Sequence, residues 1–229
     1  MSGKSKFTPF CTVALGLMLA FAAATGADAR SKGKHGNSGE GRPGRFDYYV
    51  VSLSWSPSYC AVHPDEAQQC GKGYGFVLHG LWPQYRNGGW PQNCSTSREP
   101  DEATVTQMLP IMPSRHLIEH EWQTHGSCSG LDPAAYFAQA DRAFASVAIP
   151  PQLKAPRQAP SLSADEIERA FAAANPGLDD SMLSVVCREG AQLSEVRVCL
   201  DKDTLAPRAC GGRVRNTCRY GKLRIPAID

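Results

Sequence analysis

Long apolar runs and any strong excess of one charge are both scarce in this 229-residue sequence. The one extended apolar run, Val13 to Ala24, is well short of the roughly 20 residues that a membrane-spanning helix needs. No later stretch comes closer, so the rest of the chain has no candidate span. Lys and Arg number 24 against 22 Asp and Glu, a net charge of +2. A protein that grips nucleic acid tightly presents a basic face instead. No two cysteines stand in CxxC spacing, so the common structural zinc sites lack their ligand pattern. Internal repeats are absent too, which excludes solenoid architectures.

What is present begins with a processing signal. Lys4 and Lys6 precede the apolar run, and Ala27, Asp28 and Ala29 follow it as an AxA cleavage site, the three-part pattern of a secretory signal peptide over 1–29. Residues 30–45, rich in Gly, Ser and basic side chains, read as a flexible basic arm. That leaves 46–229 as a single domain with a sizeable core. Two lysines and one aspartate leave with the signal, so +2 becomes +1; the arm holds +4, and the body is near −3. Its local basic run, Arg208, Arg213, Arg215, Arg219, Lys222 and Arg224, reads as a solvated end. Nucleic acid would therefore be a transient substrate, not cargo.

Of nine cysteines, Cys11 departs with the signal and has no later role. Eight remain, at 60, 70, 94, 128, 187, 199, 210 and 218. An even number in an exported chain argues for a disulfide framework, although about 105 pairings are possible.

Pattern and punctuation give mixed elements. FDYYVVSLSW alternates as a strand, and GYGFVLHGLWP is a short strand running into a loop. Asp101 to Leu109 reads as a helix, Ser114 caps a second through about Thr124, and Asp132 with Pro133 opens a third over Ala134 to Val147. Pro150 to Pro160 reads as a linker, and Ser163 with Glu166 forms a capping box opening Ala164 to Ala174. LSVVC and EVRVCLD return to strand. Strands, then helices, then strands make the fold class α+β.

RHLIEHEWQTHGSCSG, Arg115 to Gly130, concentrates three histidines and two glutamates. His116, Glu119 and His120 spell HxxEH, an inverted zinc-protease motif, with Glu189 or Glu195 as the third ligand it would need. Proton transfer is the competing chemistry. Glu121 and His125 lie one helical turn apart, so the carboxylate is expected to orient or charge the imidazole. A second imidazole, His79, ends a strand in GFVLHGLWPQ, and two imidazoles facing one phosphodiester can act as general base and general acid. His35, His63 and His116 read as structural or surface residues.

FVLHGLWPQ and HEWQTHGSC, in that order and with cysteines after each, resemble the two active-site segments of the ribonuclease T2 family. The resemblance extends over most of Phe46 to Leu223. It implies a disulfide-stapled fold with a central antiparallel sheet and flanking helices, and a secreted or periplasmic endoribonuclease that needs no metal or other cofactor. It makes His79 and His125 the acid and base pair, and gives His120 and Glu121 to the scissile phosphate. It also implies that Trp82 and Trp90 line a base pocket, with Gln84 as a polar contact. It further implies Cys94 bonded to Cys128, Cys187 to Cys218, Cys199 to Cys210 and Cys60 to Cys70. The expected partner is single-stranded RNA, met by a monomer free of the membrane. Members of the family usually carry Lys where this chain has Thr124, a residue placed to contact the phosphate, and many carry Gln where it has Ser54. A catalytically idle binding protein of the same fold is the remaining alternative.

Overall fold

The computed structural model describes residues 41–229 apart from 95–97, 157, 213, 220 and 229. The expected signal peptide at 1–29 and most of the expected arm lie outside them. Residues 41–45 are within them and hold backbone hydrogen bonds: Gly41 N–H donates to Gln92 O at 3.3 Å and Gly44 N–H to Cys128 O at 2.9 Å.

Four strands form one antiparallel sheet: β1 (Tyr48–Trp55), β2 (Phe76–Gln84), β3 (Leu183–Arg188) and β4 (Gln192–Asp201), in the order β2-β1-β4-β3. The period of two sorts β1 cleanly. Tyr49, Val51, Leu53 and Trp55 enter the main core, while Tyr48 and Val50 belong to a smaller cluster on the other face. Ser52 and Ser54 share that second face by alternation, and they keep its centre low.

The helices are α1 (Ser56–Cys60), α2 (Glu102–Met108), α3 (Arg115–Thr124), α4 (Pro133–Ala145), α5 (Pro151–Lys154) and α6 (Ala164–Ala174). Asp101, Ser114, Asp132 and Ser163 each accept a hydrogen bond from the first turn, satisfying backbone donors that a helix start leaves open. The Ser163–Glu166 capping box is complete. Two expectations need correction. The stretch Pro150 to Pro160 holds the short helix α5, which buries Leu153 in the core. His79, expected to end its strand, lies inside β2, which runs on to Gln84.

Four disulfides join Cys60 to Cys70, Cys94 to Cys128, Cys187 to Cys218 and Cys199 to Cys210, the pairs the resemblance implies. Cys94–Cys128 ties the loop after β2 to the turn after α3. Tyr136 of α4 donates from its hydroxyl to Leu81 O at 2.8 Å, fastening the helical layer to β2.

Candidate active site

A bulge puts His79 in the cleft. Ser52 of β1 pairs with Gly80 and Leu53 with Leu78, so His79 has no partner in register. Leu78 and Leu81, three apart, both reach the core, which strict alternation forbids; the extra residue reconciles them. His79 Nδ1 donates to Glu195 Oε1 at 2.8 Å, and Nε2 lies 3.7 Å from Glu121 Oε1. Burial opposes the imidazolium. The hydrogen bond and charge of Glu195 and the charge of Glu121 outweigh it, against Arg197, so the pKa is raised. One third of the side chain, 33 %, stays exposed and open to exchange protons.

Glu121 is 1 % exposed and lies beneath β2, where its Oε2 accepts from Trp82 Nε1 at 2.7 Å. A Cβ at position 80 would collide with the Glu121 carboxylate and the Trp82 indole, so the HGLW motif needs its glycine for space. Burial raises the Glu121 pKa to about 7, against the charge of His79 and the Trp82 hydrogen bond. The spacing of Glu121 and His125 suggests that the carboxylate serves His125. Instead it turns to Trp82 and His79. The buried Nδ1 of His125 has no hydrogen-bond partner among the described residues. Burial, with the charges of His79 and His120 adding, pushes His125 down to about 3.

Trp82 touches both imidazoles, with ring centroids 5.1 Å from His79 and 5.5 Å from His125. Trp82, Gln84, Trp90, Thr124 and His125 line one cavity of about 300 Å³, together with Arg197. His79 and exposed His120 line a second of about 290 Å³, which also takes in Ser54 and His116. Gln84 is held back by its own strand, donating to Pro83 O at 3.0 Å. Trp90 Nε1 donates to Gln92 Oε1 at 3.1 Å.

The inverted zinc motif does not assemble. Its Glu119 pairs with Arg115 at 3.5 Å, and Glu195 is committed to His79, Ser52 and Arg197. Among the described residues no group of three His, Cys, Asp or Glu side chains is placed to hold a metal ion.

Glu195 and Arg197 are the site residues that sequence reasoning missed as a pair. Arg197 lies 5.0 Å over the Trp82 ring and bonds Glu195 Oε2 through Nε at 2.8 Å. A signal was available, since alternation in EVRVCLD puts Glu195 and Arg197 on one face, with Val196 and Val198 on the other.

Known proteins bear on this arrangement. The Ribonuclease T2 family profile matches residues 46–210. A ribonuclease of Aeromonas hydrophila is 50 % identical over 92 residues, 40 % of this chain and 42 % of that protein. A probable ribonuclease of Haemophilus influenzae is 31 % identical over 180 residues, 72 % of this chain and 61 % of that protein. The matches thus span about half the length of these relatives. Among solved structures, RNase NT in complex with 5'-AMP superposes with a TM-score of 0.57 at 26 % identity, covering 80 % of this chain and 98 % of that one. Trichomaglin, described as an S-like ribonuclease, gives 0.64 at 20 % identity over 80 % and 99 %, a likeness of fold. With two imidazoles, a buried glutamate and the matched profile in one place, the chain belongs to the ribonuclease T2 family.

Proposed function

We propose that the protein is an endoribonuclease that cleaves single-stranded RNA by transfer to the 2′ hydroxyl. In this reading His125 is the base. It takes the proton of the 2′ O–H as that oxygen attacks the adjacent phosphorus. His79 is the acid: as the P–O5′ bond breaks, its Nε2 proton passes to the departing oxygen. The products are a 2′,3′-cyclic phosphate and a 5′ hydroxyl. Water then opens the ring to a 3′ phosphate with the two roles exchanged. The proton transfers use two imidazoles and no metal.

One observation carries the reading: two imidazoles share one indole but are displaced in opposite directions, His79 up and His125 down to about 3. A base must start neutral and an acid charged. Between those two pKa values both conditions hold at once.

Exposed His120, on the second cavity, supplies positive charge to the phosphorane when protonated. Trp82 and Trp90 offer faces on which an unpaired base can stack, with Gln84 and Thr124 as polar neighbours. Buried Glu121 reaches the phosphate only through His79 and Trp82. The 5'-AMP held by RNase NT supports a nucleotide as the class of ligand. Export to the periplasm or beyond fits the disulfides and the leader pattern, and the protein acts as a monomer in this scheme. Among the described residues no helix is long and apolar enough to cross a membrane.

Digestion of a defined oligoribonucleotide in excess chelator, with product ends identified, tests the proposal. Cyclic phosphate appearing first and 3′ phosphate later is expected, and His79→Ala and His125→Ala should each lose about 100- to 10,000-fold in turnover. Undiminished cleavage by either variant would overturn the two-histidine scheme, and no cleavage by the parent protein would leave the idle binding protein as the better reading.

A further inference from the structure

We infer that Glu195 is a positioning residue for His79, fixing Nδ1 so that Nε2 is the nitrogen that delivers the proton in the cleavage step. The inference rests on the reading of His79 as the acid. It concerns a side chain on a different strand, 116 residues away in sequence.

The sheet makes this contact possible. β2 and β4 both pair with β1, so they lie on either side of it, about 9 to 10 Å apart. Side chains of β2 and β4 can meet only over β1, and only if β1 offers no bulk there. Ser52 and Ser54 satisfy that condition. Each neighbour also carries an irregularity beside the contact. His79 is the unpaired residue of β2, and on β4 the register skips from Glu195 to Leu193 opposite Val186 and Cys187. The two bulges adjust both ends of one hydrogen bond.

The division of labour within the carboxylate is informative. Oε2 accepts from Ser52 Oγ at 3.1 Å and from Arg197 through Nε at 2.8 Å and Nη2 at 2.6 Å. Oε1 is given to His79 at 2.8 Å. A carboxylate with only 9 % of its side chain exposed stays ionised when its charge is met by such donors. Burial opposes the charge, but His79 and Arg197 bring the pKa down to about 2. An ionised Glu195 accepts from Nδ1–H throughout the working range, which leaves Nε2 to gain and lose the proton.

Other charged groups around His79 are Glu121 from α3, whose carboxylate is 3.7 Å from Nε2, and Arg197 from β4. His125 lies across Trp82, and His120 shares the second cavity. None of these contacts Nδ1. Glu195 alone fixes the ring's orientation from that side, among the described residues.

Glu195→Gln keeps the shape and an acceptor while removing the charge. The chain should be compared with its parent by histidine NMR titration of the resting protein and by kcat/KM against pH on a defined oligoribonucleotide at constant ionic strength. Losing the anion lowers the His79 pKa, so the alkaline limb should move toward acid by about one unit, a tenfold loss on that limb. Well below the limb His79 is protonated in either protein, and kcat/KM should return to within a few fold of the parent. Glu195→Asp, shorter by one methylene, should shift the limb the same way by less, and it serves if the Gln variant folds poorly. A limb and a His79 titration that stay in place would overturn the inference, as would a uniform loss at every pH, which marks a purely structural role. If His79→Ala is fully active, the acid reading itself falls; if that variant is inactive and the Gln variant shows no shift, only the role of Glu195 falls.

Discussion

His79 stands on a strand between two carboxylates, whereas His125 closes a helix with its Nδ1 buried and, among the described residues, without a partner. The side chain is the same on both sides of Trp82, so the difference in proton affinity comes from the surroundings. On the sheet side, charge and a hydrogen bond overcome burial; on the helix side, burial acts with neighbouring histidines and nothing opposes it. Were the roles exchanged, the protonation state needed for cleavage would be the rarer one, since His125 is lowered and His79 raised. Sheet and helix end are specialised before substrate arrives.

Uncoupling the two sides should have the largest effect on the molecule as a whole. Cys94 carries the loop beyond Trp90, and Cys128 lies three residues past His125, so their disulfide holds the helix side against the loop. Replacing both with Ala opens a closed loop spanning 34 positions and is expected to cost about 3–4 kcal/mol of stability. Thermal and urea unfolding would register this. The same change at Cys60–Cys70, with a separation of 10, should cost about 1 kcal/mol less. Equal losses would mean that loop length is not what the staple constrains.

The pH dependence sharpens the comparison on a scale of tenfold per unit. His125 must be neutral, so activity rises as pH climbs through its lowered pKa; His79 must be charged, so activity falls as pH passes its raised one. A bell is expected, with its acid limb below the ordinary histidine range and its alkaline limb above about 6.5. Log kcat/KM measured from pH 3 to 9 checks this, and a rate climbing steadily into alkali would contradict the histidine pair.

Thr124 offers the smallest change. It lines the cavity of His125, at the position where the family resemblance implies a lysine, and Arg197 on the same wall is committed to Glu195. Thr124→Lys is expected to raise kcat on single-stranded RNA several fold with little change in KM, because a charged hydrogen bond is roughly twice as strong as a neutral one. The comparison belongs at moderate salt, where general attraction of the polyanion is screened. No gain in kcat would show that His120 or Arg197 already fills the role.

Local physics was legible in the sequence. Asp101, Ser114, Asp132 and Ser163 announce helix starts because the cap bond is made within three residues. The strands follow from alternation, and both active-site segments stand out as motifs. What could not be read depends on contacts remote in sequence. His79 bulges out because Leu78 and Leu81 are both drawn into the core, and Gly80 beside it, the one local sign of a bulge, does not say which residue is left unpaired. Glu121 serves Trp82 rather than His125 because β2 passes over it, which helical spacing cannot reveal. Glu195 meets His79 only in a sheet ordered β2-β1-β4, and EVRVCLD does not say which strand will lie beside it.

The assignment of acid and base is tested most directly by changing the leaving group. An oligoribonucleotide with sulfur in place of the 5′ bridging oxygen releases a thiolate, which departs without a proton, so it needs the base but not the acid. Cleavage of this substrate and its oxygen counterpart should be timed with the parent protein, His79→Ala and His125→Ala. Recovery of His79→Ala toward the parent rate on the sulfur substrate, with His125→Ala still impaired, is the expected result. Recovery of His125→Ala instead would contradict the account and exchange the two roles.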